Sequence, residues 1–426
     1  MTSFEKNDKK IINAWALFDW ANSAYALVIS TAIFPVYFIK FTPDVIELGG
    51  ISFSNSSLYS FAVAFSYIII AFLSPILSGM ADYGGRKKFF LQIFTLIGSI
   101  SCLLLYFFKG EPQLWLGTSA FILATIGFAG GIVFYNAYLP LIVTEDRYDQ
   151  VSAKGFAMGY LGSVILLIVI LVMIQRPGWF GISDPQLPAR LGFLMVGLWW
   201  LGFAQITFKY LPKDDKTKST ENLVTKGFEE IKMVFGKLKH QPWLKRFLLA
   251  FFFYSAGVQT VIYLATVFAE KELSFESSEL ILLVLILQLV GIGGAYFFAF
   301  VSKITSNKIS ITIMLIIWIV ICVGAFFTHG KMLFYFLAAL VGMVMGGIQA
   351  ISRSTYSKML EDKEKDTTSY FSFYDVLYKV AIVAGTFLFG IVDNITGNMR
   401  YSVLVLAGFF IMGLIVLNTI NSKEIS

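Results

Sequence analysis

Twelve long apolar runs, each nearly free of charged residues, constrain the fold of this chain more than any other feature of the sequence. Each run has about the 20 residues that an α-helix needs to cross the hydrocarbon core of a bilayer. The sequence therefore predicts an all-α membrane protein with twelve transmembrane helices. The predicted spans are 14–38, 58–81, 89–108, 114–142, 155–175, 191–208, 247–269, 280–302, 309–328, 332–357, 370–392 and 401–420.

The composition argues against soluble and enzymatic classes of protein. Of the 426 residues, 57% are apolar and 14% are charged, whereas ordinary globular domains have about a quarter charged residues. Cys102 and Cys322 lie inside apolar runs, and His240 and His329 lie in or beside loops, so neither a disulfide framework nor a metal site is expected. The sequence has no paired-histidine zinc motif, serine nucleophile elbow or phosphate-binding loop. We therefore expect no enzyme activity and no cofactor.

The distribution of positive charge predicts how the chain crosses the membrane. If the N-terminus is cytoplasmic, the inside segments contain 24 of the 33 Lys and Arg residues, the outside loops contain seven, and Arg353 and Lys379 lie inside spans. This bias predicts that both termini are cytoplasmic, in the plasma (inner) membrane if the protein is bacterial. The bias also accounts for the formal net charge of +6, so no nucleic-acid partner is expected.

A charged segment divides the spans into two groups of six. Residues 209–246 carry ten of the positive charges, and no comparable segment interrupts either group. We therefore predict an N-terminal six-helix bundle at 1–208, a cytoplasmic linker at 209–246 and a C-terminal six-helix bundle at 247–426.

Part of this linker has the spacing of an amphipathic helix. Apolar residues recur at intervals of four and three with lysines around them, as in helices that lie against a membrane surface. We interpret this segment as a tether along the inner leaflet, and a regulatory or partner-binding helix is the alternative. The apolar positions are Val224, Phe228, Ile231, Phe235 and Leu238.

The two groups of spans are parallel repeats. The sequence Gly-Gly-Ile at 130–132 recurs at 346–348, and the pair Glu-Asp at 145–146 recurs at 361–362. Two six-helix bundles related in this way can open a cavity between them to one side of the membrane and then to the other. The glycine pairs themselves allow helices to approach closely in lipid.

The segment after the second run, residues 78–88, reads Ser-Gly-Met-Ala-Asp-Tyr-Gly-Gly-Arg-Lys-Lys. It resembles the loop between helices two and three of the major facilitator superfamily, whose pattern is Gly, two residues, Ala, Asp, Arg, one residue, Gly, Arg, Lys. Ser78 and Tyr83 depart from that pattern. The resemblance implies the major facilitator fold and a cytoplasmic gate in which the carboxylate faces the positive N-terminus of helix eleven. The gate residues would be Asp82, Gly85, Arg86 and Lys87.

Three further segments resemble the vacuole effluxer branch of that superfamily, which includes the autophagy-related amino-acid effluxer of fungal vacuoles. They are AWALFDWANSAY at 14–25, GGIQAISRS at 346–354, and FSFYD at 371–375 with Lys379. The resemblance implies export of a solute, with amino acids as the substrate class.

Four ionisable residues lie inside the predicted spans, where burial of a charge costs at least a few kcal/mol. They are Asp19, Arg353, Asp375 and Lys379. None of them has a charged counterpart at the equivalent position of the other repeat, so the bundle does not need them for its own construction. We interpret them as functional groups of a water-filled cavity.

Each of these charges also has a purely structural interpretation. Asp19 lies just beyond the first predicted turn of its helix, where a carboxylate complements the helix dipole. Arg353 can extend its guanidinium to the cytoplasmic interface. Asp375 and Lys379 are four residues apart on one helix face, so they can simply neutralise each other.

On the functional interpretation, the charges suit a solute that is itself charged at both ends. An ammonium group would bind to Asp19 or Asp375, a carboxylate would bind to Arg353 or Lys379, and protonation of one aspartate would drive transport. Other polar residues are expected along the same path, although such residues also form helix-packing hydrogen bonds. These residues are Asn22, Tyr25, Tyr135, Asn136, Gln259, Gln288, Gln349 and Tyr374.

The leading hypothesis is a monomeric secondary active transporter of a small polar or zwitterionic, amino-acid-like solute, working by alternating access and by proton-coupled efflux. Its partners would be the solute, protons and membrane lipids. A lipid or amphiphile flippase on the same fold is the first alternative, favoured if many of the 43 phenylalanines face the cavity. A membrane receptor that does not transport is the second alternative, and the linker is the one feature that suggests it.

Overall fold

The computed structural model describes residues 5–48, 51–214, 223–360 and 366–421. Within these ranges, twelve helices are long and apolar enough to cross a membrane, so the predicted fold class is confirmed. We number them α1–α12 and call Leu223–Lys239 the linker helix. The spanning helices are α1 (Lys9–Ala24, Tyr25–Ile33 and Phe34–Phe41), α2 (Asn55–Gly84), α3 (Lys87–Leu105), α4 (Leu114–Ala137), α5 (Tyr148–Gln175), α6 (Leu187–Tyr210), α7 (Pro242–Leu273), α8 (Ser277–Ile304), α9 (Asn307–Phe327), α10 (Lys331–Met359), α11 (Thr367–Thr396) and α12 (Met399–Asn418).

The helices form two six-helix halves, α1–α6 and α7–α12. The halves meet where α2 packs against α11 and where α5 packs against α8 and α10. Both ends of the described chain lie on one face of the molecule, which we call the termini face. Near the N-terminus, the Asn7 N–H donates to the Ile142 carbonyl at 2.9 Å. Near the C-terminus, the Thr419 carbonyl accepts from Arg246 Nη1 at the start of α7, at 2.9 Å. The repeat residues 361–362 lie outside the described ranges.

The connections between helices are short. A two-stranded antiparallel hairpin, β1 (Val45–Leu48) and β2 (Ile51–Ser54), joins α1 to α2 on the opposite face. A four-residue helix, Leu139–Ile142, follows α4. Single 3₁₀ turns precede α4 and α5 and follow α5, at Glu111–Gln113, Glu145–Arg147 and Pro177–Phe180.

The first spanning helix changes from α to π geometry at Tyr25–Ile33. Pro35 explains the change, because in a regular α-helix its ring would clash with the carbonyl of the residue four positions earlier. The Phe34 N–H accordingly bonds to the Ile29 carbonyl, five residues back. Such π segments are frequent at functional sites, and this one forms part of the cavity wall described below.

The linker helix is docked on the first half of the protein. A β-carbon at Gly79 of α2 would lie 2.3 Å from the carbonyl oxygen of Gly227, so the two helices cross in direct backbone contact. Val234 and Leu238 are buried, whereas Phe228 and Phe235 are exposed. The predicted apolar stripe is therefore divided between a contact with the protein and an open surface.

The backbone contact at Gly227 gives a prediction about docking. In a Gly227→Ala variant the new β-carbon would lie 2.8 Å from Met80 Cγ and 3.1 Å from the Ile76 carbonyl oxygen. Overpacking of this kind costs about 1–3 kcal/mol, so we expect the linker amides to exchange hydrogen for deuterium about 5- to 100-fold faster. Gly236→Ala is the matched control on the same helix, because nothing lies within 4 Å of its added β-carbon. Equal exchange in the two variants would contradict the docked arrangement.

Candidate functional site

A cavity of about 300 Å³ lies between the halves, bordered by α1, α2, α4 and α5 of the first half and α7, α8, α10 and α11 of the second. This volume is in the range of small-molecule pockets. Eleven of the twelve residues that the sequence predicts along the solute or proton path line it. These residues are Asp19, Asn22, Tyr135, Asn136, Gln259, Gln288, Gln349, Arg353, Tyr374, Asp375 and Lys379.

Tyr25, the twelfth residue, lies outside the cavity lining. Its hydroxyl is 2.6 Å from Thr125 Oγ1 of α4, and its ring is 5.9 Å from the Trp200 ring. The structure thus gives it a helix-packing contact. The sequence contains no signal for this, because a spacing of three from Asn22 would put both residues on one side of an α-helix.

Arg353 of α10 is the most extensively bound of the four charges. Its Nε donates to Ser152 Oγ at 2.9 Å and its Nη2 donates to the Ser152 carbonyl at 2.7 Å. Its Nη1 lies 3.4 Å from Asp19 Oδ2 and 3.3 Å from Asn136 Oδ1. All of these partners belong to the first half, so Arg353 joins the two halves beneath the cavity.

Aromatic rings complete the environment of this guanidinium. The Arg353 Cζ atom lies 4.2 Å from the centre of the Phe156 ring and 4.8 Å from that of Trp15, at cation–π distance. The Tyr135 hydroxyl donates to Asp19 Oδ2 at 2.8 Å. The arginine is 3% exposed, which contradicts the alternative in which it extends to the cytoplasmic interface.

Asp19 also lies deeper than the sequence suggests. The first helix begins at Lys9, where the Asp8 side chain caps it by accepting from the Lys10 N–H at 2.7 Å, and not near residue 14. Asp19 is therefore ten residues, or about 15 Å, from the helix start. At that distance it is well beyond the first turn, where the helix dipole acts.

Two residues that contact Arg353 were not predicted as functional residues from the sequence. Ser152 and Phe156 belong to the first helical turns of α5 and carry no charge, so nothing in their local sequence marks them. Gly155 lies between them, and a β-carbon there would meet Asp19 Oδ2 at 2.7 Å and Arg353 Nη2 at 2.8 Å. The absence of a side chain at 155 thus provides the room for the ion pair.

Asp375 and Lys379 of α11 form the second ion pair, one helical turn apart. The predicted neutralising contact is therefore present. Both side chains also line the cavity, at 7% and 5% exposure. Mutual neutralisation and access to the cavity are thus combined in one pair.

Asn22 contributes an unusual amide to the cavity wall. It is 1% exposed, and within the described part of the chain neither its Nδ2 nor its Oδ1 has a hydrogen-bond partner. A buried polar group without a partner costs about 1–3 kcal/mol. The cavity wall thus contains an amide whose hydrogen-bonding groups are not used by the described residues.

On the termini face, Asp82 holds the start of α11. Its carboxylate accepts from the Ser369 N–H at 2.7 Å and from the Thr368 N–H at 3.3 Å, where the helix dipole favours negative charge. Lys87 Nζ lies 3.1 Å from Asp82 and donates to Thr367 Oγ1 at 2.6 Å. These are the contacts that the resemblance implied for the gate.

The turn that positions this gate depends on Gly85. Its φ of +58° lies in the left-handed region that glycine adopts without strain. The following Arg86 N–H then bonds back to the Ala81 carbonyl at 2.9 Å. The helix α2 thus ends at Gly84, and α3 begins at Lys87.

A second carboxylate, that of Asp149, joins the two halves at another position on the same face. Asp149 at the start of α5 accepts from Ser302 Oγ at 2.9 Å and from Asn307 Nδ2 at 2.9 Å, and Lys358 Nζ lies 3.1 Å away. All three donors belong to the second half. The sequence analysis missed Asp149, because a carboxylate at a helix start is common in any protein.

Glu230 of the linker helix lies next to the Asp82 gate. Burial, together with the neighbouring carboxylates Asp366 and Asp82, raises the pKa of Glu230 from 4.5 to about 8, and Lys237 opposes this increase. The docked linker helix therefore binds a proton at a pH where an undocked one has lost it.

Two overlapping segments, residues 7–148 and 144–424, match the family model described as "Vacuole effluxer Atg22 like". The chain belongs to this Atg22-like family. The membership predicted from the three sequence segments is thus confirmed, and the protein is a membrane transporter by family.

Relatives of this Atg22-like protein span most of its length. The Bacillus subtilis (strain 168) protein named "Uncharacterized MFS-type transporter YxiO" is 31% identical over 408 residues, covering 95% of this chain and 93% of that protein. Autophagy-related protein 22 of Saccharomyces cerevisiae (strain ATCC 204508 / S288c) is 25% identical over 431 residues, covering 87% of this chain and 78% of that protein.

Solved structures show that the fold is that of the major facilitator superfamily. The transporter FucP, solved in an outward conformation, superposes with a TM-score of 0.72 at 14% identity and covers 97% of this chain and 98% of its own. The human organic anion transporter MFSD10 gives a TM-score of 0.73 at 12% identity, with 97% and 100% covered. The predicted fold is confirmed in full.

The ion pair between Asp19 and Arg353 gives a prediction about stability. In an Arg353→Gln variant Asp19 stays buried without its cation, which costs about 3–5 kcal/mol, so the thermal midpoint of the purified protein should fall. The double variant Asp19→Asn/Arg353→Gln should be more stable than Arg353→Gln alone, because no unpaired charge remains. Thermal denaturation of the unmodified protein, Asp19→Asn, Arg353→Gln and the double variant measures the coupling between the two residues. Simply additive losses would show that the pair does not interact.

The raised pKa of Glu230 gives a prediction about pH. Because the docked form holds the proton more tightly, docking should be strongest below about pH 4.5, weaken as the pH rises to about 8, and be constant above that. Hydrogen exchange of the linker amides across this range measures the docking. Glu230→Gln should remove the dependence and keep the helix docked at high pH. A dependence that persists in this variant would assign it to another group.

Proposed function

We propose that this protein is a secondary active transporter that moves a small zwitterionic solute, amino-acid-like in its charges, by proton-coupled efflux. The observation that carries the proposal is a cavity between the halves that contains two ion pairs and the Asn22 amide, which has no hydrogen-bond partner among the described residues. The description of the family, "Vacuole effluxer Atg22 like", supports an efflux function.

The two ion pairs have different roles in this proposal. Arg353 is already bound by four groups of the first half, so it closes the termini face and is not available to a solute in this conformation. Asp375 and Lys379 lie on one helix of one half, so a solute can insert between them without moving the halves. Its ammonium would bind Asp375, its carboxylate would bind Lys379, and the Asn22 amide would bind either end.

Proton coupling follows from the position of Asp19. Protonation of this carboxylate removes the negative charge opposite Arg353 and weakens the contact that holds the halves together beneath the cavity. The termini face can then open. A proton and a solute would in this way favour different conformations, which is the condition for coupled transport.

The cavity lining favours a polar solute over a lipid. Among the described residues, three phenylalanines border the cavity, namely Phe128, Phe156 and Phe251. Seven tyrosines border it: Tyr67, Tyr135, Tyr160, Tyr254, Tyr263, Tyr374 and Tyr378. The condition that would favour a flippase is therefore not met, because most of the aromatic wall carries hydroxyl groups.

We further propose that the termini face is cytoplasmic and that the protein works as a monomer of two bundles, 1–208 and 247–426, joined by the segment 209–246. The excess of Lys and Arg on the termini face supports this orientation. The helix bounds support the division, since α6 ends at Tyr210 and α7 begins at Pro242.

The test is counterflow of a labelled amino-acid mixture in proteoliposomes, with and without a pH gradient. Lys379→Ala and Asp19→Asn should each lower the exchange rate by about tenfold or more, because each removes a charged partner worth about 1.5–3 kcal/mol. Asp184→Asn, at a half-exposed carboxylate of the loop before α6, and Tyr25→Phe, outside the cavity lining, are the controls and should retain full activity.

Full activity in both Lys379→Ala and Asp19→Asn would end the site assignment. Uptake of lipid analogues without uptake of amino acids would support the flippase. No exchange with either class of compound would favour a receptor.

A further inference from the structure

The linker helix connects the two halves on the termini face. It contacts α2 of the first half through Gly79 and Gly227. It contacts the start of α11 in the second half, where Lys237 Nζ lies 2.7 Å from Asp366 Oδ2. Because α2 and α11 must separate when this face opens, the helix can keep both contacts only in the closed arrangement.

The outer side of the linker helix exposes large apolar residues. Val224 is 45% exposed, Phe228 is 54% exposed and Phe235 is 49% exposed. At 100° per residue these three fall within an arc of about 40°, and Lys239 and Lys232 follow within the next 40° or so. The exposed surface is therefore an apolar strip with a row of lysines along one edge.

The position of this surface matches the headgroup layer of the bilayer. Gly79 lies five residues, or about 7.5 Å, before the end of α2, and α2 has 30 residues, more than the hydrocarbon core requires. The last turns of α2 therefore reach the headgroups, and the linker helix lies beside them. An apolar strip with adjacent lysines is the surface that amphipathic helices present to a membrane.

The charge of the whole segment favours an anionic surface. Residues 209–246 contain ten Lys or Arg residues and five Asp or Glu residues. Each lysine near an anionic membrane is attracted by an energy equivalent to about a fivefold change in an equilibrium constant. Phosphatidylcholine has no net charge and offers the apolar contact alone.

We propose that the linker helix binds anionic phospholipid headgroups through Lys232 and Lys239, inserts Val224, Phe228 and Phe235 at the acyl boundary, and thereby stabilises the closed termini face. The membrane then acts on the same closed arrangement that Asp82, Asp149 and Arg353 hold from within. The lipid composition of the membrane sets how readily this face opens.

The first test places single spin labels on the helix in lipid nanodiscs, with Cys102 and Cys322 replaced by alanine. Labels at Phe228→Cys and Phe235→Cys should collide more often with oxygen than with a water-soluble nickel chelate. A label at Glu229→Cys, which is exposed at about 100° from Phe228 on the same helix, should show the reverse. Equal access to the chelate at all three positions would overturn the proposal.

The second test measures the closed arrangement directly. Spin labels at Tyr210→Cys and Ile304→Cys, exposed ends of α6 and α8 on this face, report the distance between the halves. Addition of phosphatidylglycerol to phosphatidylcholine nanodiscs should raise the ratio of the short to the long distance by about fivefold or more.

The controls in this second test separate the linker helix from general charge effects. Lys232→Ala/Lys239→Ala should remove the lipid response. Lys9→Ala/Lys10→Ala removes the same charge from exposed residues on the same face and should retain the response. No lipid response in the unmodified protein, or equal responses in the two double variants, would overturn the proposal. Neither readout requires a known solute, so both remain informative if the transport assay fails.

Discussion

The arrangement of the two halves depends on how the protein solvates the buried guanidinium of Arg353. A buried cation is tolerated only if hydrogen bonds and an opposite charge replace the water that it has lost. Arg353 obtains them from Ser152, Asp19 and Asn136, all of which belong to the other half of the protein. Its solvation by protein therefore requires that the halves be together at this level. A conformational change that separates them must supply water or another hydrogen-bond acceptor in their place.

Three sets of contacts hold the termini face closed at two depths. Asp82 and Asp149 act at the surface, on opposite sides of the interface between the halves, and Arg353 acts beneath them at the base of the cavity. The two surface contacts are not copies of each other. In one, a first-half carboxylate receives backbone N–H groups of α11; in the other, a first-half carboxylate receives side chains of the second half. In both, the negative charge belongs to the first half, so the repeat in the backbone is combined with an asymmetric distribution of charge.

Much of the architecture and part of the site could be predicted from the sequence, for reasons that differ from residue to residue. The twelve spans follow from the cost of unpaired backbone groups in lipid, which makes long apolar runs unambiguous. Asp375 and Lys379 were predictable as a pair because a spacing of four fixes their contact on one helix. The partners of Arg353 were not predictable, because they lie some 200 to 330 positions away along the chain and include the uncharged Ser152. Tyr25 was assigned to the cavity as a polar residue of a predicted span, and its contact with Thr125 of α4 depends on the packing of two helices that are distant in sequence.

The sequence by itself determined the membrane class, the number and order of the helices, the family, and the identity of the four charges inside the spans. These depend on hydropathy, local spacing and segments of continuous sequence, which are properties of the chain read in one dimension. The tertiary structure decided that Asp19 faces Arg353 while Asp375 faces Lys379, that Asn22 has no hydrogen-bond partner among the described residues, and that the linker helix lies against Gly79. These depend on which surfaces of distant helices meet, and the free energy of each contact exists only after packing has removed water and brought the groups within hydrogen-bond distance.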